Sequence, residues 1–278
     1  MSEPILELQG ITLAFGPKVI QHDLDFRVRR GTIFAVMGGS GCGKSTVLKS
    51  IIGLLRPAAG RVLVEGEDYW AADETRRTAI GRRFGVLFQS SALWSSLTVA
   101  ENVGLPLRMF TSLDDAAINA LVRVKLALVG MEQAAAAYPS ELSGGMRKRA
   151  GLARALALDP DVLFFDEPSA GLDPVTSRRL DDLILQLRDG FGQTIVLVSH
   201  ELPSLFSIAD DGVFLDARTH TAIAHGSPSA LRDTSTNPVV QAFMRRERLD
   251  QEQSSGSEGF GTQDFGGQDF GIQNTEAG

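Results

Sequence analysis

Cysteine is almost absent from the chain: one residue, Cys42, in 278. No internal disulfide is possible, so stability has to come from burial. Long apolar runs are also missing, and none approaches the ~18 residues a membrane-crossing helix needs. The first residues, Met1-Ser2-Glu3-Pro4, show no basic segment ahead of an apolar stretch, so no secretory signal is read there. There is no basic excess. Net charge is −7, and six acids between Asp250 and the end, a stretch without Lys or Arg, account for most of it. The remaining body is near neutral, which speaks against a nucleic-acid partner. These features point to a cytosolic protein. The apolar fraction of 43% suits a full globular core, in one large domain or two small ones.

Among the 29 glycines, four fall in Gly38-Gly39-Ser40-Gly41-Cys42-Gly43-Lys44-Ser45-Thr46. An apolar run, Thr32 to Met37, precedes this stretch and reads as a buried strand. Val47 to Ile52 follows and reads as a helix. Strand, G-x-x-x-x-G-K-S and helix together make a phosphate-binding loop (P-loop). Its glycines let backbone N–H groups turn inward around an anion. The helix that follows points its positive end at the same phosphates. Lys44 is expected at the β- and γ-phosphates of a nucleotide, and the Ser45 hydroxyl on Mg²⁺. At Cys42 the geometry asks only for a small residue, and a redox role is not favoured.

A second apolar run, Val162-Leu163-Phe164-Phe165, delivers Asp166 and Glu167 at its C-terminal end. Parallel sheets bind ligands at that edge. Asp166 suits Mg²⁺, and Glu167 suits a general base that polarises a water.

Alternating apolar residues from Ile5 to Val28, with turns at Gly10 and Gly16-Pro17, predict antiparallel strands. The helix after the P-loop is expected to stop near Leu55, ahead of Arg56-Pro57. Short strands follow at Arg61–Gly66 and Arg83–Phe88. From Thr98 to Leu158 the spacing is helical. It is broken at Pro106, resumes after Asp114 and Asp115, and begins again at Ser143. The apolar strands Val162–Phe165 and Thr194–Val198, with a helix from about Pro174 to Arg188 between them, imply a parallel sheet covered on both faces. Two short helices, interrupted at Asn237-Pro238, close the folded part. The domain is therefore placed at 1–249, with a helical insertion at about 90–159. Residues 250–278, with the repeat Gln-Asp-Phe-Gly at 263–266 and 268–271, are too polar to fold alone and are expected to be disordered. The Asp-Phe-Gly there lacks the other elements of a kinase.

Leu142-Ser143-Gly144-Gly145-Met146 resembles the signature of the ATP-binding cassette (ABC) ATPases, and from about Ile5 to Gly226 every motif of that family occurs in order. The resemblance implies an α/β P-loop NTPase: an ABC nucleotide-binding domain with a mostly parallel sheet core, an antiparallel β subdomain and a helical insertion. It implies that Ser143, Gly144 and Gly145 touch the γ-phosphate held by the other copy of a homodimer. Gln89 matches the family's Q-loop, which senses Mg²⁺ and the γ-phosphate. His200 matches its switch histidine, while His22, His220 and His225 read as structural. Asp173, in Ala170-Gly171-Leu172-Asp173, matches the loop that the family places across the dimer interface. Phe15, twenty-nine positions before Lys44, stands where the family stacks an aromatic on adenine, or is simply core. Separate integral-membrane permease subunits are implied, with Leu93 to Val103 as the surface that meets them. The stretches from Gln89 to Leu107, Leu142 to Arg149 and Ser169 to Pro174 are similar to the subgroup that works with Mce-domain lipid-binding proteins, including the Mla phospholipid-transport ATPases. That subgroup sits on the cytoplasmic face of the inner membrane. The alternatives are the ATPase of a small-solute transporter, or an ABC ATPase outside transport.

Overall fold

The computed structural model describes residues 3–246; the segment expected to be a disordered tail lies outside them. Two sheets stack on each other. The first is antiparallel, in the order β2-β1-β4-β5, from β1 (Pro4–Phe15), β2 (Lys18–Arg29), β4 (Ala59–Val64) and β5 (Glu67–Asp68). The second has six strands in the order β10-β9-β3-β8-β7-β6. They are β3 (Ile33–Gly38), β6 (Phe84–Leu87), β7 (Val162–Asp166), β8 (Thr194–Val198), β9 (Asp211–Leu215) and β10 (Ala222–His225). All its pairings are parallel except that of β10 with β9.

Strands β3, β7 and β8 are buried at every position, which explains their unbroken apolar sequences. Alternate residues leave each strand on opposite faces. Phe34, Val36, Phe164 and Val196 enter a core shared with the antiparallel sheet and with α1 (Lys44–Ile51). Ala35, Met37, Leu163, Phe165 and Leu197 face a larger core. That second core is filled by α3 (Val99–Phe110), α4 (Asp115–Leu128), α5 (Gly144–Ala155) and α6 (Pro174–Phe191). The three helices α3 to α5 lie between β6 and β7 in the chain.

Local expectations fail in three places. Gly10 is not a turn. β1 runs straight through it with a register shift between Leu8 and Ile11, while the Gly10 N–H donates to Asp25 Oδ1 at 3.0 Å. Buried residues change parity there, from Leu6 and Leu8 to Ile11 and Leu13, which one extra residue in a bulge produces. Helix α1 ends at Ile51, a turn before Leu55. Gly53, at φ +85°, closes it as a Schellman cap: its N–H reaches the Ser50 carbonyl at 3.4 Å, and that of Leu54 reaches Lys49 at 2.8 Å. Finally, α3 continues through Pro106. A capping box between Thr98 and Glu101 fixes its start, and burial of Val103 and Leu107 on either side of the proline holds the helix together. Helices α2 (Glu74–Gly81) and α7 (Leu202–Ile208), unforeseen in the periodicity, are seven or eight residues long.

Candidate active site

The carboxyl ends of four adjacent strands converge on one cavity of 430 Å³. Its wall includes Ser40, Gly41, Gly43, Lys44, Ser45, Thr46, Gln89, Glu167 and His200. Strand β3, held between β8 and β9, releases the chain at Gly38 into the glycine loop, and α1 starts at Lys44. Gly38 cannot be replaced by a larger residue. Its φ is +142°, and a Cβ there would run into the Leu215 carbonyl and Cys42 Sγ. Lys44 is buried, and its Nζ donates to the carbonyls of Gly38 and Gly39, each at 2.9 Å. The ammonium is thereby fixed over the loop. Gly39 faces open space, whereas Cys42 is 1% exposed beneath the loop. Burial raises the Cys42 thiol pKa, with the Lys44 charge opposing, so it behaves as a small neutral packing group.

Ser45, one residue into α1, donates its hydroxyl to Asp166 Oδ1 at 2.9 Å. Asp166 closes β7, and β7 pairs in parallel with β8 so that Asp166 stands opposite Val198. The next residue, Glu167, takes φ +48° and donates its N–H to the Val198 carbonyl at 2.9 Å. A non-glycine residue there is held against its own preference. The twist sends its side chain to His200, just past β8, whose Nδ1 lies 2.8 Å from Glu167 Oε1. Oε2 of the same carboxylate is buried and has no partner among the described residues. Gln89 follows β6, whose Leu87 pairs with Phe165 of β7, and so reaches the same wall.

Two residues missed in the sequence belong to this neighbourhood. Ile20 of β2 lines the cavity and packs where a Cβ on Gly43 would go. Gln21, fully buried, donates to the carbonyls of Cys42 at 2.7 Å and Asp216 at 3.0 Å, bracing the loop from below. The alternation of Leu24, Phe26 and Val28 points Gln21 outward, and it turns inward because β2 shifts register between Gln21 and Leu24, with Asp23 at φ +48°. Phe15 is off this wall. It ends β1 beside the Gly16-Pro17 turn and is 53% exposed.

Ser143, Gly145 and Met146 line a different cavity, of 460 Å³, between α5 and α6. Ser143 N-caps α5 by accepting the Met146 N–H at 3.2 Å. Gly144 packs near Leu172, and at Gly145 a Cβ would strike Thr176. Asp173 N-caps α6, accepting from the N–H groups of Val175 and Thr176 at 3.0 Å each. The Thr176 hydroxyl, then these amides, hold its carboxyl below the usual range. None of these residues lines the P-loop cavity of its own chain.

A third cavity, of 520 Å³, opens between α2 and β6 on one side and α3 and α5 on the other, with Tyr69, Pro106, Phe110 and Arg154 on its wall. No residue from 93 to 103 lines it.

The chain belongs to the ABC transporter family. That family's model matches residues 21–170, from the second strand past Glu167. The chain is 39% identical over 247 residues to an intermembrane phospholipid transport system ATP-binding protein, MlaF, of Haemophilus influenzae, covering 89% of this chain and 92% of that one. The MlaF of Escherichia coli K12 is 40% identical over 240 residues, covering 86% and 88%. A probable ribonucleotide transport ATP-binding protein, mkl, of Mycobacterium tuberculosis is 39% identical over 244 residues, covering 88% of this chain and 67% of its own. Among solved structures, a dimeric post-hydrolysis state of the ATP-binding cassette MJ0796, bound to ADP and Pi, superposes with a TM-score of 0.73 at 27% identity, covering 79% and 97%. CbiO1 of Clostridium perfringens, part of the transporter complex cbiONQ, gives 0.75 at 25% identity, covering 82% and 90%. The chain is an ATPase of this family.

Proposed function

We propose that this chain is the ATP-hydrolysing subunit of a transporter that moves phospholipid between two membranes, working as a homodimer on separate permease subunits. Among the described residues no helix is long and apolar enough to cross a membrane, and in this reading the transport path belongs to the permease subunits. In this reading the subunit sits on the cytoplasmic face of the inner membrane, and an Mce-domain lipid-binding protein belongs to the same complex. Lys44 and the loop amides hold the β- and γ-phosphates of ATP. The Ser45–Asp166 pair, with Gln89 on the same wall, is the oxygen donor set that suits magnesium, an ion that takes few protein ligands beside phosphate and water. Magnesium there would neutralise charge on the transferred phosphoryl group. Glu167, on the cavity wall, polarises the attacking water as general base. His200 orients the carboxylate through Oε1. Ser143, Gly144, Gly145 and Asp173 serve the nucleotide of the second copy, and Phe15 stacks on adenine. The surface from Leu93 to Val103 receives a short helix of the permease.

For hydrolysis, the carrying observation is the meeting of Lys44, Ser45, Glu167 and His200 on one wall. For phospholipid as cargo, it is the match along nearly the whole length of two phospholipid-transport relatives, whereas the mkl relative leaves a third of itself unmatched. The test of the chemistry is Glu167→Gln, which keeps the shape but cannot take a proton. ATP binding is expected to persist, turnover to be lost and the closed dimer to accumulate. Wild-type turnover in that variant would remove Glu167 as the base. The test of the cargo is copurification with the membrane partners and mass spectrometry of what they hold. Phospholipid is expected, and a small solute alone would point to the other reading.

A further inference from the structure

Lys148 lies five residues beyond Ser143 on α5. It is 5% exposed and has no carboxylate partner among the described ion pairs. Its Nζ donates instead to two backbone carbonyls, that of Gln89 at 2.6 Å and that of Glu167 at 3.2 Å. These are the two cavity residues that β6 and β7 deliver, so one ammonium ties three elements together. Burial lowers the Lys148 pKa, and the charges of Asp166 and Glu167 oppose it. The same helix grips the following loop again. Arg154 donates to the carbonyls of Ser91 and Ala92 at 2.9 and 2.7 Å, and Ser91 and Ala92 both have positive φ. Gly151 keeps α5 close enough for this, since a Cβ there would press on Leu87 and Ser91.

We infer that Lys148 is a positioning residue, a strut joining the Ser143 end of α5 to Gln89 and to Glu167, through which ATP on one side of the dimer sets the base on the other. A helix of twelve residues moves as a rod, so a shift at its N-terminus reaches Nζ within about two turns. Glu167 is the natural receiver. Its left-handed backbone is held by few contacts: its N–H on Val198, its carbonyl shared by Lys148 and the Ala170 N–H at 3.2 Å, and Oε1 at His200. Moving one of them re-aims the carboxylate. The coupling is therefore between sites, carried by a named contact at each end.

The inference rests on the two-copy reading above, and the experiment separates the two. Full-length wild type, Lys148→Met and Ser143→Arg are compared in ATPase rate against ATP concentration, in nucleotide binding by the single copy and in thermal melting. Lys148→Met is expected to lower turnover about tenfold, within the usual range for coupled sites, and to bring the Hill coefficient to 1. Single-copy binding should stay within about twofold of wild type, since the P-loop is untouched, and the melting temperature should fall by only about a few degrees, because the Gln89 carbonyl loses a donor while a desolvated cation is removed. Turnover and Hill coefficient both equal to wild type would overturn the strut. So would a rate loss matched by loss of nucleotide binding and of melting temperature, which is the mark of a structural role. A non-cooperative wild type with an active Ser143→Arg would instead refute the two-copy reading, and the strut with it.

Discussion

The cluster at the sheet edge and the cluster at the start of α5 and α6 differ in what their polar atoms are bonded to. At the edge, Lys44 bonds the loop before it, Ser45 bonds Asp166, and Glu167 bonds His200, so four elements close on one another. At the helix starts, among the described residues, the Ser143 and Asp173 side chains bond only to the first turn of their own helices. The first arrangement is a site assembled within one chain. The second presents two helix N-termini, and in the function proposed above their ligand is the phosphate of a nucleotide held by a second copy. In that proposed homodimer the chains pair in a two-fold manner, the finished half of each meeting the open half of the other.

The comparison can be broken most severely at Ser143. Ser143→Arg is expected to abolish hydrolysis, a loss of at least about 10³, while one copy still binds ATP. Loss of binding by the isolated copy would mean that Ser143 acts within its own chain. Next comes His200→Ala, which should cost roughly 10²–10³ in turnover because Glu167 loses its orienting partner. Near-normal turnover would take His200 out of the site.

Behind both clusters lies Asp181 of α6, 6% exposed, which accepts the Ser204 hydroxyl of α7 at 2.8 Å. Ser204 in turn lies 3.4 Å from Ser169 Oγ, just after Glu167. Burial raises its pKa to about 6, the Ser204 hydrogen bond opposing. The folded state therefore holds this proton more tightly than the unfolded chain. Stability from that source is full below the ordinary carboxylate pKa and is lost as pH rises through about 6. Asp181→Asn is thus expected to match wild type near pH 4 in chemical denaturation and to gain over it as pH rises. The gain should level off above about pH 7 at no more than roughly 3 kcal/mol. A difference independent of pH would refute the raised pKa. The smallest effect is expected at Phe15: Phe15→Ala should weaken ATP binding about fivefold, with turnover kept. No change in affinity would leave Phe15 as surface.

Much of this was legible before the fold. The glycine loop and the β7 run could be read because each is a continuous stretch whose chemistry is local. The parallel core could be read because β3, β7 and β8 are apolar at every position. The Gly10 bulge was also visible, as a switch of buried parity, but a glycine between short apolar runs looks like a turn. Pro106 misled because local sterics predict a break, whereas packing on both sides outweighed it. Lys148, Ile20 and Gln21 were out of reach for a different reason. Their partners are 59, 23 and 21 residues away, and no periodicity encodes a contact between elements. α2 escaped because Ile80 is its one buried residue, leaving no apolar stripe to detect.

Cys42 gives the molecule a clock. The chain's single sulfhydryl is 1% exposed under the glycine loop, with its pKa raised by burial, so a small alkylating reagent finds it only when that loop lifts. The labelling rate then reports the population of the lifted loop, with no engineered probe, and a bound triphosphate should slow it.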